Sequence, residues 1–192
     1  MYNSKMFKKE VERRFLLKRG SLKNVKFTKE TNIIQGYYYL KSLTGIEPFE
    51  RIPSEYPFLK KEIVRIRVEN MKDVYLTLKR GKGVERNEFE IKIDFNKKIY
   101  YFLKNDVKIL KKVRKEFIIN GFKALLDIYK ERYKGVKIVE VEFKNKRDAK
   151  KFKPPKNFIE ITDFTYLTNK SLYFNDEEKI LKRIREIYAN KN

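Results

Sequence analysis

The chain has 192 residues, with 48 Lys and Arg against 26 Asp and Glu, a formal charge of +22, and neither Cys nor His. These absences exclude disulfides, thiolate nucleophiles, zinc ribbons, iron–sulfur clusters, Ser-His or Cys-His catalytic pairs and imidazole metal ligands. Oxygen remains as the metal ligand, which favours magnesium, manganese or calcium. The 28 Phe and Tyr residues within a 41% hydrophobic composition can fill a core, and the length suits one domain over residues 1–192. No apolar run approaches the roughly 18 residues of a membrane span, and the first nine residues hold no apolar signal segment. A cytoplasmic protein with no membrane partner is expected. The 35 Lys and 13 Arg are spread over the whole chain, a pattern shared by solvated surfaces and by binders of nucleic acid, polyphosphate or nucleotides.

In chain order, period-two alternation predicts strands at 11–17, 32–40, 63–68, 74–79, 87–93, 116–119, 123–129, 137–143 and 158–161. The fold class that follows is α+β, mainly antiparallel β. Between the second and third strands, residues 41–62 carry Pro48, Pro53 and Pro57 and show neither period, so a long lid or rim loop is expected. Arg80-Gly-Lys-Gly-Val84 reads as a hairpin turn, since it lacks the spacing and Lys-Ser/Thr ending of a Walker A loop. Asn120-Gly121 supplies the positive φ angles of a two-residue hairpin. Helices are predicted at 97–105, 147–152 and 176–188. The last is apolar on one face and starts at Asn175 or Asp176, so it packs on the barrel or closes one end. Tyr37-Tyr-Tyr39 with Lys41 either stacks on bases or fills core and rim positions.

The strand faces carry the chemistry. Glu10, Glu12 and Arg14 share one face while Val11 and Phe15 take the other. Arg65 with Arg67, Thr77 with Lys79, the row Arg86, Glu88, Glu90 and Lys92, and Glu140 with Glu142 repeat this spacing. Too few helices are predicted to cover so many strands on one side. A barrel whose apolar face turns outward and whose charged stripes share a lumen is therefore expected. Acids for metal and bases for phosphate in one pocket describe a metal-dependent phosphate-transfer site.

The opening Glu10-Val-Glu-Arg-Arg-Phe-Leu-Leu17 resembles the ExExK signature of the CYTH superfamily, the triphosphate tunnel metalloenzymes. The resemblance continues through Gln35-Gly-Tyr37, Val64-Arg-Ile-Arg67, Tyr75-Leu-Thr-Leu-Lys79, Arg86-Asn-Glu-Phe-Glu90, Lys112-Val-Arg114, Asp127, Gly135, Glu140-Val-Glu142 and Glu160-Ile-Thr to Asn169-Lys-Ser-Leu172. It implies an eight-stranded antiparallel barrel tunnel with flanking helices and a C-terminal helix. In such a tunnel basic residues bind a triphosphate and acids bind magnesium or manganese.

Carried over by position, the catalytic candidates are Glu10, Glu12, Arg14 and Glu88. The triphosphate-binding candidates are Arg14, Arg65, Arg67, Lys79, Arg86, Lys112 and Arg114. The metal candidates are Glu10, Glu12, Glu88, Glu90, Asp127, Glu140 and Glu142. Three positions depart from the pattern. Arg14 replaces the signature lysine, keeping the charge without the ability to act as a neutral base; Leu125 stands at a family acid, and Tyr166 at a frequent arginine.

The expected function is a metal-dependent triphosphatase, with inorganic triphosphate first among substrates because the opening motif and Gln35-Gly-Tyr37 look like the compact bacterial-type triphosphatases. The alternative is a non-catalytic barrel that binds RNA or polyphosphate, motivated by the +22 charge and by Arg14. RNA 5′-triphosphatase and class IV adenylyl cyclase activities are the remaining family readings.

Overall fold

The computed structural model describes residues 3–18, 22, 25–43, 45–47, 49–81 and 84–190, with backbone alone for 3–7. Pro48 of the expected loop and Lys82 and Gly83 of the glycine turn lie outside the described residues. The strands are β1 (Asn3–Leu17), β2 (Lys29–Tyr39), β3 (Ile63–Glu69), β4 (Asp73–Arg80), β5 (Glu85–Asp94), β6 (Leu110–Ile119), β7 (Phe122–Tyr129), β8 (Lys137–Phe143) and β9 (Phe158–Glu160). The helices are α1 (Ile52–Glu55), α2 (Lys97–Lys104), α3 (Lys146–Lys151), α4 (Asn169–Phe174) and α5 (Glu177–Ala189).

Eight strands close into an antiparallel barrel in the order β1-β5-β4-β3-β2-β6-β7-β8, and β9 is added beside the end of β1. Closure depends on the length of β1. Its first half pairs with β5 from Asn3 to Val11, and its second half pairs with β8 from Val11 to Leu16. A closed sheet leaves no unpaired edge to template aggregation.

All nine expected strands are present, but β1 and β6 begin well before the expected residues. In β6 the row Leu110, Lys112, Arg114 and the row Lys111, Val113, Lys115 both mix apolar and basic residues, so the first half shows no alternation. The β6–β7 turn adopts the expected positive φ angles, 49° at Asn120 and 80° at Gly121. The β3–β4 turn reaches the same region without glycine, at Asn70 and Met71. Asn70 is held there by its amide, which donates to the Asn32 carbonyl, and by its side-chain oxygen, which accepts from the Asn32 amide.

Helix starts follow the capping rule. The side chains of Asn96, Asn145, Thr168 and Asp176 each accept a backbone N–H from the first turn of α2, α3, α4 and α5.

The apolar faces of the strands do turn outward, where the rest of the chain covers them. Val64, Ile66, Val74, Leu76 and Ile91 pack under Leu40, Leu43, Phe49, Ile52 and Leu59, and under Ile99 and Leu103 of α2. The 41–62 segment, expected as a lid or rim loop, is therefore a structured layer on the outer wall; its buried leucines and Phe49 supply the apolar contact that the wall requires. Val11, Phe15, Val139 and Val141 pack similarly under Ala149 and Phe152 at α3. A third cluster lies inside: Leu16, Leu110, Tyr129 and Ile138 continue the inward rows of β1, β6, β7 and β8. They meet Leu172 of α4 and Ile180 and Ile184 of α5. These helices close that end of the barrel, as the amphipathic pattern of α5 predicted. Among the described residues no helix is long and apolar enough to cross a membrane.

Leu172 is wholly buried in this plug. Leu172→Ala should lower unfolding stability by about 2–5 kcal/mol, read as a reduced urea midpoint with an unchanged slope.

Candidate functional site

Inside the barrel is a cavity of about 900 Å3 whose wall is built from the inward residues of all eight strands. Register explains the composition. Antiparallel pairing sets Lys79 opposite Glu88, Glu10 opposite Arg86, Arg114 opposite Asp127 and Arg14 opposite Glu140. Residues two apart repeat the pattern along each strand. Among the described residues, ten cationic and nine acidic side chains line the cavity.

Most of these charges neutralise one another by direct contact. Arg65 donates to Thr77 at 3.0 Å and to Glu88 at 3.2 Å, and Arg67 donates to Glu90 at 3.2 Å. Lys79 bridges Glu10 at 2.7 Å and Glu88 at 3.1 Å. Arg86 pairs with Glu12, and Arg114 reaches Glu140 at 2.8 Å. Glu142 stands at the exposed rim with Lys123 at 3.6 Å.

Two predicted site residues lie on the inward rows of β6 and β7 but below the cavity, toward the apolar plug. Asp127 is completely buried; it accepts from Lys112 at 2.6 Å and from Arg114 at 2.7 and 2.8 Å. Neither Asp127 nor Lys112 lines the cavity. Asp127 thus aims Arg114 into the lumen, and Lys112 continues to the Asn169 side-chain oxygen at 3.1 Å, which also accepts from the Tyr129 hydroxyl. Burial pushes the Lys112 ammonium down to about 8 despite the opposing pull of Asp127.

Glu10 and Glu88 form the most unusual pair. Burial raises the Glu10 pKa, and its hydrogen bond with Glu88 raises it further. Burial acts against Glu88 as well, but the bond from Glu10 and the cations Lys79 and Arg65 outweigh it and hold Glu88 at about 2. Two bare carboxylates about 4 Å apart would repel by roughly 4 kcal/mol at an effective dielectric near 20. Lys79, which bridges both carboxylates, offsets that repulsion here. Glu140 also sits below the usual carboxylate range: burial opposes this, and Arg114 and Lys112 impose it.

The CYTH domain profile matches residues 8–187. This chain belongs to the CYTH family. Among solved structures, NE1496 is similar in two determinations, one described as a hypothetical protein and the other as an inorganic triphosphatase. Each is 24% identical with a TM-score of 0.58; they cover 86% and 87% of this chain and 98% and 95% of theirs. PH1012 from Pyrococcus horikoshii OT3 is 20% identical over 74% of this chain and 84% of its own, with a TM-score of 0.47. HpAC1 from Hippeastrum, described as a putative adenylyl cyclase with a dominant triphosphatase activity, is 14% identical over 73% and 82%, with a TM-score of 0.45. No curated protein matches the sequence. At these identities the likeness is one of fold.

Within this CYTH barrel, Arg14 is committed to the backbone. Its guanidinium donates to the carbonyls of Leu167 at 2.9 Å, Thr162 at 3.1 Å and Ile161 at 3.5 Å. Its own amide donates to the Thr162 hydroxyl, and its carbonyl accepts from the Ile161 amide. The stapled segment then presents Thr162, Asp163, Thr165, Thr168, Asn169 and Lys170 to the cavity. Periodicity could not reveal this wall, because 161–168 is irregular backbone. Lys8 and Glu69 were also missed as lining residues, although each extends an inward row already recognised on its strand, and Glu116 was missed on β6, where no charged row stands out. Leu125 faces the cavity, whereas Tyr166 stacks on Phe164 beneath Arg183 and is not part of its wall.

Arg14→Gln should destabilise the fold by about 2–3 kcal/mol and raise amide exchange selectively over residues 162–170, measured by hydrogen–deuterium exchange. Glu88 has a depressed folded pKa, so its stabilising contribution is complete above the ordinary value of 4.5 and is lost as pH falls through about 2. Urea unfolding of Glu88→Gln should accordingly lose less stability than wild type across that window.

Proposed function

We propose that this CYTH barrel hydrolyses the terminal phosphoanhydride of a triphosphate with a divalent cation, with inorganic triphosphate as the first substrate to consider. The supporting observation is the inward set Arg65, Arg67, Lys79, Arg86 and Arg114, in which each cation is held in the lumen by a carboxylate. NE1496, an inorganic triphosphatase by its description, shares the fold and adds weight to this reading.

The donor set fits magnesium or manganese in a particular way. Among the described residues no group of three or more acidic side chains could hold a metal alone. Magnesium is commonly bound by one or two carboxylates, with water and substrate phosphates completing the shell. Glu10 and Glu88, already sharing one position in the lumen, are the pair that fits, with Glu12 and Glu90 next along their strands. When bound there, a divalent cation supplies Lewis-acid polarisation of a phosphoryl oxygen and lowers the pKa of a coordinated water.

The protein's own groups do the rest. Arg65, Arg67, Arg86 and Arg114 grip equatorial phosphate oxygens with paired N–H groups, and Lys79 acts as a point charge. Asp127, itself held by Lys112, fixes Arg114 from below the cavity. Water attacks the terminal phosphorus, its proton passes to Glu10, and the bridging P–O bond breaks to release orthophosphate and diphosphate. Arg14 serves this reaction by holding the 162–170 wall.

The test is phosphate release from inorganic triphosphate, ATP, GTP and thiamine triphosphate, each with magnesium, manganese or EDTA. Metal-dependent release should fall about 100-fold or more in Glu88→Gln/Glu90→Gln without loss of the folded circular-dichroism spectrum. Full activity in that variant refutes the reading. A wild-type protein that binds triphosphate without releasing phosphate is a non-catalytic polyanion module instead.

A further inference from the structure

The cavity does not account for the charge of the protein. Its lining is one charge from neutral among the described residues, whereas the chain carries +22. The excess therefore lies outside, and part of it is concentrated. Residues 144–156 hold seven Lys or Arg and one Asp within thirteen positions.

The local structure turns this segment into a ridge. Asn145 caps α3, and Ala149 and Phe152 are buried against the barrel wall. Arg13 fixes the segment by donating to the carbonyls of Ala149 at 2.9 Å and Phe152 at 2.8 Å. With the apolar residues turned in, all seven cations are exposed. Only Lys146 is in an ion pair among the described residues, with Glu85 at 3.4 Å. The acid Asp148 is engaged by the Asn145 side chain.

Position and chemistry define the partner. Lys144 follows the cavity-lining Glu142 by two residues, and Lys146 pairs with the neighbour of the cavity-lining Arg86. The ridge thus adjoins the cavity wall. It exposes no aromatic ring to stack a base and no large apolar side chain to enter a lipid layer. What it offers is a row of cations suited to a chain of phosphates.

We propose that the ridge at residues 144–156 docks the continuing chain of an inorganic polyphosphate whose end lies in the barrel cavity. This rests on the triphosphatase reading of the cavity and extends its substrate class beyond triphosphate. A chain held at both places gains affinity through the second contact, and the ridge contribution weakens steeply with salt.

The experiment compares wild type with Lys150→Gln/Lys151→Gln/Lys153→Gln. Binding of inorganic triphosphate, of a polyphosphate of several tens of units and of single-stranded RNA of matched charge is measured by calorimetry at 50–300 mM salt, beside phosphate release from the two phosphates. Wild type should bind the long chain more tightly than triphosphate. The variant should lose about tenfold in long-chain affinity, with a slope of log affinity against log salt shallower by about two for three lost cations, and keep its triphosphate binding and hydrolysis. Equal long-chain binding by variant and wild type overturns the proposal. So does a loss confined to single-stranded RNA of matched charge, which makes RNA the partner. If wild type releases no phosphate from any substrate, the catalytic reading fails, while the binding comparison still decides the ridge.

Discussion

The structure depends on one constraint: a closed barrel with its apolar face outward must neutralise every charge it turns inward. Removing one partner from a buried ion pair typically costs 3–5 kcal/mol, because the other charge is left behind without solvent. The eight strands meet this requirement through register. Period two puts charges on one face of each strand, and antiparallel pairing sets opposite signs side by side, as with Lys79 and Glu88 or Arg114 and Asp127. The outer layers follow from the same choice. Because the lumen is charged, the hydrophobic effect has to act on the outer wall, so the 41–62 segment, α2 and α3 are needed as cover.

A self-neutralised lumen behaves differently from a simple basic pocket. With ten cations facing nine acids, it presents little net field to attract an anion from a distance. It can exchange partners instead. A phosphate that takes Arg65 or Arg114 from a carboxylate leaves that carboxylate without its cation, and a divalent metal entering with the phosphate satisfies it. On the proposed function, polyanion and metal are coupled ligands, each raising the affinity for the other by the same factor. Long-range attraction falls to the exterior, where most of the excess charge resides.

Much of this was legible in the sequence. The charged stripes at spacing two, against apolar rows at the alternate positions, specified the inward face of β1, β3, β5 and β8 before any coordinates. The limits have physical causes. β6 carries basic residues on both faces in its first half, so alternation vanished there although Lys112 and Arg114 were identified. The 41–62 segment looked like a loop because its buried residues, Leu43, Phe49, Ile52 and Leu59, sit on short irregular turns that match neither period. Sequence spacing also cannot separate a residue that faces the lumen from one that supports it. Asp127 stands with the metal acids by position, and only the packing shows it below the cavity with its oxygens committed to Lys112 and Arg114.

Arg14, expected from the resemblance at the signature lysine, makes the same distinction. A lysine there ends in a single nitrogen with three donors, whereas guanidinium is a planar fork whose two terminal nitrogens reach different carbonyls at once. That geometry lets Arg14 tie together Ile161, Thr162 and Leu167, which an ammonium cannot span in the same way. The charge at the end of the Glu10, Glu12, Arg14 row is thereby spent on architecture: it fixes the irregular wall that carries Asn169 to Lys112 and Tyr129. Beyond it the row continues as Leu16, in the apolar plug under α4 and α5. Along a single strand the inward face therefore passes from exchangeable ion pairs, through a structural staple, to hydrophobic closure, which confines the phosphate chemistry to the part of the barrel where charges can change partners.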